Sequence, residues 1–190
     1  MSPRRSIRPR VFPALLSALL LFSGGALAAE PPPGGGFSPP VDCVPGRDCW
    51  VMNYPDMDPG PDVADPACGA RSYDGHKGTD FAVRDIAAMR RGVAVLAAAP
   101  GIVRRVRDGV ADRLIRSAAD LEAVAGRDCG NGVVIDHGKG WETQYCHMRR
   151  GSLAVAPGDI VRRGQALGSI GLSGRTAFPH LHIAIRDNGI

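Results

Sequence analysis

The sequence is poor in the features that mark elongated or all-helical proteins. It has neither the heptads of a coiled coil nor the Gly-X-Y period of a collagen, and no internal repeat recurs at a fixed interval. Aromatic residues make up only 5% of the 190 residues. The basic doublets Arg90-Arg91, Arg104-Arg105, Arg149-Arg150 and Arg162-Arg163 therefore lack the interleaved rings of a nucleic-acid stacking platform, and they read as solvated faces with no nucleic-acid partner. There is no G-x-S-x-G elbow, no H-E-x-x-H helix, no phosphate-binding P-loop and no CxxC zinc ribbon, and Ser152, Ser169 and Ser173 have no base near them in the pattern.

An excess of charge is also missing once its location is considered. The formal charge is +4, but Arg4, Arg5, Arg8 and Arg10 precede the first acid, Glu30. Leaving those four aside, 19 of the 23 Lys and Arg remain against 19 Asp and Glu, so the rest of the chain is neutral. Met1 to Arg10 reads as the basic region of a secretory signal, Val11 to Leu27 as its apolar run, and Ala26-Leu27-Ala28 as its cleavage site. Residues 1–28 are thus expected to be removed, leaving an exported, periplasmic or secreted protein with no stable membrane insertion.

What is abundant is glycine, 25 residues, and proline, 16, which favour turns and short strands over a helical bundle. The stretch PPPGGGFSPP (31–40) reads as linker, giving a linker unit over 29–42. Residues 43–72, dense in Asp and Pro, read as a cysteine-containing loop segment that packs on the domain. Asp56, Asp58 and Asp62 hint at calcium, but an EF-hand register from Asp56 puts Pro61 at the turn glycine and Ala67 at the closing glutamate.

From Asp74 on, short apolar segments alternate with turns: Asp80 to Val83, Val93 to Ala98, Gly101 to Val106, Gly132 to Asp136, Glu142 to Met148, Asp159 to Val161, Ala166 to Ile170 and Leu181 to Arg186. That spacing predicts a mainly β, antiparallel domain over 73–190. Leu114, Ala118, Leu121 and Ala125 recur at helical intervals and predict one inserted helix within 112–125. Five cysteines in an exported chain imply two disulfides and one unpaired thiol. Cys129 and Cys146 flank a hairpin and are the favoured pair; Cys43 or Cys49 with Cys68 is the expected second.

The histidines carry the chemical signal. His76 and Asp80 lie four residues apart beside glycines that let the backbone curl, so both can face one ion. His180 and His182 open an apolar run, and the period of two places both imidazoles on one strand face, with Leu181 and Ile183 toward the core. The same period puts Tyr145 and His147 on one face. His137, at a hairpin, reads as structural. A catalytic zinc site takes three nitrogen or oxygen ligands and keeps a position for water, so His76, Asp80 and one of His180 and His182 meet its demand, with two histidines over for proton transfer and oxyanion stabilisation.

Taken in order, GHKGTD (75–80), GNGVVIDHG (130–138), QYCHM (144–148), GDIVRRGQALGSIGLSG (158–174) and PHLHIAI (179–185) resemble the lysostaphin-type, or LytM-like, zinc metallopeptidases of the M23 family. The resemblance implies one Zn²⁺ held by His76, Asp80 and His182, with His147 and His180 as catalytic histidines beside a zinc-activated water in a β-sheet groove. It implies hydrolysis of the peptide cross-links of peptidoglycan, the peptidoglycan peptide being the substrate. The other role known in that family is a non-catalytic envelope module that binds peptidoglycan or, with a regulator as partner, activates a cell-wall amidase. Two departures stand out: the connection 108–128 is longer than usual in the family, and the chain stops at Ile190 where family members run on.

Overall fold

The computed structural model describes residues 35–188. The signal segment 1–28 and the first part of the expected linker lie outside the described residues. Among the described residues nine strands form two antiparallel sheets: β1 Cys49–Asn53, β2 Thr79–Val83, β3 Ala94–Leu96, β4 Gly101–Arg107, β5 Asn131–Gly138, β6 Trp141–Met148, β7 Ile160–Val161, β8 Ala166–Ser169 and β9 His180–Asp187. The large sheet has the order β1-β2-β9-β6-β5-β4-β7, and β3 pairs with β8 in the small one. The expected mainly β, antiparallel fold is the one observed.

Alternation explains which face is buried. On β9, Leu181 and Ile183 enter the core while His180 and His182 point away from it, toward Asp80. Val133 and Ile135 of β5, Tyr145 of β6 and Val103 of β4 join the same core, closed by Val95 of β3, Leu167 of β8 and Met89 of a short helix. The Tyr145 hydroxyl accepts from the Ala98 N–H at 2.8 Å and meets the Thr143 hydroxyl at 3.2 Å. Thr143 in turn lies 2.7 Å from His137 Nε2, whose Nδ1–H donates to the Pro100 carbonyl at 2.8 Å. His137 is thus consumed by a structural chain, as its hairpin position suggested.

Several expectations are corrected. Among the described residues two short helices are present rather than one: α1 Ile86–Arg91, capped by the Asp85 side chain on the Ala88 N–H at 2.7 Å, and α2 Ala118–Ala123. The helix anticipated over 112–125 forms only in its second half. The Arg113 and Ile115 N–H groups are used instead on the carbonyls of Leu172 and Thr176, both at 3.0 Å, which holds that stretch extended. The loop segment 43–72 supplies the edge strand β1. The described part of the linker is attached to the domain, with Val41 only 5% exposed and the Leu96 N–H donating to the Pro40 carbonyl at 2.7 Å.

Cys129 pairs with Cys146 as expected, but the second disulfide joins Cys43 to Cys49, and Cys68 is the exposed free thiol. A turn at Gly46, closed by its N–H on the Cys49 carbonyl at 2.8 Å, brings Cys43 and Cys49 to a Cα separation of 6.1 Å, whereas Cys68 sits in a separate turn built around Asp65. Among the described residues no helix is long and apolar enough to cross a membrane.

Candidate metal centre

Sheet register assembles the site. In the β2-β9 pair, Asp80 lies opposite His182 and Ala82 opposite His180; in the β9-β6 pair, His182 lies opposite Cys146. Asp80 and His182 therefore share one face, and His76 reaches them from the turn before β2. That turn needs Gly75 at φ +71°, a left-handed conformation. The His76 ring stacks on Tyr73 at 4.4 Å between centroids.

The three donor atoms converge. His76 Nε2 lies 3.1 Å from His182 Nδ1 and 3.2 Å from Asp80 Oδ1, and His182 Nδ1 lies 2.9 Å from Asp80 Oδ1. His76 Nδ1 is 2.7 Å from the Tyr54 carbonyl, which can only accept, so Nδ1 carries the proton and Nε2 turns a lone pair inward. Two imidazole nitrogens and a carboxylate oxygen facing one point repel one another unless a proton or a metal cation joins them. Ligands about 2.0–2.1 Å from a tetrahedral zinc stand about 3.3 Å apart, so this triangle fits three corners of such a site. The other Asp80 oxygen accepts from Asn53 Nδ2 at 2.8 Å, which fixes the carboxylate's orientation.

The remaining two histidines stand beside this triangle. His147 lies 4.6 Å from His180 between ring centroids. His147 Nδ1 donates to the Ser173 carbonyl at 2.8 Å, and His180 Nδ1 donates to the Phe178 carbonyl at 2.9 Å, so each neutral ring keeps its lone pair on Nε2. His180 Nε2 lies 3.5 Å from Asp80 Oδ1.

His147 corrects a simple reading of alternation. Tyr145 lies in the core, yet His147 faces the site. The β5-β6 register slips between Tyr145 and Met148, and His147 adopts φ +61°. This bulge with a left-handed residue turns the imidazole out of the core side, and a strained conformation at such a place is a common mark of function.

Electrostatics agree with a cation site. Burial pushes the Asp80 carboxyl up, but hydrogen bonding with His182 and His76, the electrostatic influence of His180 and the Asn53 N–H outweigh it, holding the group well below the usual carboxylate range. Burial pushes His76 down, yet its bonds to Asp80 and Tyr54 leave it raised. Burial, with His180 adding to it, drives His147 down to about 3; burial also lowers His180 against the attraction of Asp80. Both rings are neutral at pH 7 in these surroundings. A cleft of about 660 Å³ opens over His147 and His182, bordered by Tyr73, Lys77, Asp128, Gln144 and Arg175.

All five histidine and aspartate residues singled out in the sequence meet in one place. Asn53 and the carbonyls of Tyr54 and Ser173 were not singled out. Backbone acceptors leave no trace in residue type, and Asn53 sits in a segment whose Pro and Asp content masks its strand. Ser173, set aside as a nucleophile, has its hydroxyl committed to the Met148 carbonyl at 2.7 Å.

Comparison with known proteins agrees with this geometry. Residues 74–190 match Peptidase family M23. The chain is 43% identical over 60 residues to the DD-carboxypeptidase/endopeptidase Mpg of Neisseria meningitidis and 41% identical over 61 residues to the peptidoglycan DD-endopeptidase ShyC of Vibrio cholerae. Each match covers 32% of this chain but only 13% and 14% of those longer proteins. The fold matches the catalytic domain of the prophage-encoded M23 protein EnpA from Enterococcus faecalis, at a TM-score of 0.51 and 23% identity over 76% of this chain and 85% of that one. It also matches a chain of the SpoIIIAH and SpoIIQ complex, at a TM-score of 0.56 and 19% identity over 81% of this chain and 94% of that one. The family pattern spans more than half of the sequence, and the chain belongs to peptidase family M23.

Proposed function

We propose that the protein is an exported zinc metalloendopeptidase that hydrolyses peptide cross-links of bacterial peptidoglycan. The reading rests on one observation above all: the donor triangle of His76, Asp80 and His182, with edges of 2.9 to 3.2 Å, beside two histidines whose Nδ1–H groups are already committed to carbonyls. The relative named a peptidoglycan DD-endopeptidase, over the third of this chain that it matches, supports the substrate.

In this account His76, Asp80 and His182 hold the zinc, which supplies Lewis acidity that lowers the pKa of water and polarises the scissile carbonyl. His147 and His180, neutral with Nε2 lone pairs, are placed to take the proton of the attacking water. The ring that accepts it becomes a donor at Nε2, able to hold the developing oxyanion and then to protonate the leaving nitrogen. The Tyr54 and Asn53 contacts orient two of the metal ligands, as supporting groups do in metal sites. Residues 1–28 act as the export signal and 73–190 as the peptidase domain, and the two disulfides suit an oxidising compartment.

The roles are separated by mutation. His76→Ala, Asp80→Ala or His182→Ala is expected to abolish stoichiometric zinc, measured by metal analysis after gel filtration. His147→Ala or His180→Ala is expected to keep one zinc and lose turnover. Loss of stoichiometric zinc from either of the last two overturns the assignment.

A further inference from the structure

The segment 108–128 lies between β4 and β5 and contains the short helix α2. It holds the loop that orients both non-ligand histidines. The carboxylate of Asp112 joins two backbone segments: Oδ1 accepts from the Leu172 N–H at 2.8 Å and Oδ2 from the Arg150 N–H at 3.0 Å. The Arg113 N–H donates to the Leu172 carbonyl and the Ile115 N–H to the Thr176 carbonyl, while the Arg175 N–H returns to the Asp128 carbonyl at 2.8 Å. Loop 172–176 is thereby pinned along its whole length by backbone it meets only in the folded chain.

That loop carries the groups that position the imidazoles. The Ser173 carbonyl accepts from His147 Nδ1, and Thr176 Oγ1 lies 3.1 Å from His180 Nδ1. Arg150 follows His147 by three residues, so the second oxygen of Asp112 holds the strand end that bears it. His147 is restrained from a further side, its N–H donating to the Cys129 carbonyl at 2.8 Å. No free space separates the parts: a Cβ on Gly171 would stand 2.5 Å from both Asp112 Oδ1 and the Arg149 Cα.

We propose that Asp112 is a positioning residue for the reaction, acting through loop 172–176 and Arg150 to hold His147 and His180 in their working orientation. The inference rests on the peptidase reading for its kinetic consequence, not for its structural one. Asp112 is exposed, so water can replace its oxygens on the Leu172 and Arg150 N–H groups. Its removal therefore loosens the loop without emptying the core.

The test uses the full mature chain loaded with zinc. Asp112→Ala is expected to lower kcat by about 10- to 100-fold, the range that follows from a misplacement of about 1 Å, with KM little changed. Asp112→Asn keeps one acceptor oxygen but opposes an amide to the other N–H, and falls between the two. Glu122→Ala in the same segment serves as the unchanged control. Independently of turnover, nitrogen-resolved NMR of the imidazoles reads the Nδ1–H protons of His147 and His180. They are expected to be protected from exchange in the parent protein and at least 10-fold less so in Asp112→Ala, with zinc stoichiometry retained.

Unchanged Nδ1–H protection in Asp112→Ala, or in Asp112→Asn should the alanine variant fail to fold, overturns the proposal. Loss of zinc together with protection overturns it as well, because the damage then reaches the ligands. If the parent protein cleaves nothing, the peptidase reading fails while the NMR comparison still judges Asp112.

Discussion

Gly78 lies between His76 and Asp80 and has no room for a side chain. A Cβ there would collide with the Ile183 carbonyl oxygen and stand 2.8 Å from both Cε1 and Nε2 of the His182 ring. Neither neighbour yields easily, since Ile183 is paired with Thr79 in the sheet and His182 is drawn to Asp80. Gly78→Ala must therefore spread β2 from β9, push the imidazole away from the donor triangle, or both. Overpacking of this kind costs about 1–3 kcal/mol. At about 2–4 °C per kcal/mol for a chain of this size, the metal-free protein should lose about 2–12 °C in Tm. Displacement of a ligand ring should weaken zinc binding by about 10-fold or more, in line with the sensitivity of metal sites to ligand orientation. Differential scanning fluorimetry of the apo protein and competition with a chromophoric chelator measure the two effects. A variant with parent-like Tm and parent-like zinc affinity would refute the claim that β2 and β9 approach this closely over the site.

Three further outcomes follow from the packing. Tyr145→Phe strands the fully buried Ala98 N–H, and a buried donor without its acceptor costs about 1–3 kcal/mol, readable as a lower urea midpoint. Cys129→Ser with Cys146→Ser opens a disulfide of sequence separation 17, for which chain entropy gives about 3 kcal/mol; equal stability of the double variant and parent in urea would contradict this. Asp56 and Asp65 are held below their ordinary pKa chiefly by backbone N–H donors, Ala64 for one and Gly69 for the other. A depressed folded value means a stabilising contribution that is present above the unfolded pKa of about 3.9 and is lost as pH falls through the folded one. Hydrogen exchange over 54–76 should therefore accelerate below about pH 4, and that acid limb should shrink in Asp56→Asn.

The β architecture and the convergence of His76, Asp80, His147, His180 and His182 were legible because they leave periodic or chemically specific marks. Leu181 and Ile183 alternate with His180 and His182, so one strand announces both its core face and its site face. The errors arose where backbone, not side-chain pattern, decides. Residues 112–117 carry helical spacing at Leu114 and beyond, but their N–H groups find the 172–176 loop, and tertiary pairing overrides a weak local preference. His147 reaches the site through a bulge at φ +61°, which a period of two cannot foresee. Strand β1 is five residues long and helix α1 six, both too short to stand out against the neighbouring Pro, Asp and Arg. The Cys43–Cys49 bond depends on a local turn at Gly46, a matter of loop geometry that spacing alone leaves open.

The central claim is hydrolysis of cross-linked peptidoglycan at this centre. Purified peptidoglycan digested with the mature zinc-loaded protein, with and without a zinc chelator and in parallel with His147→Ala, tests it by mass spectrometry of the muropeptides. The account predicts loss of cross-linked muropeptides with the parent protein alone, abolished by the chelator and absent in the variant. Intact cross-links after incubation with folded, zinc-loaded parent protein would contradict it and turn the reading toward a non-catalytic or partner-dependent envelope module.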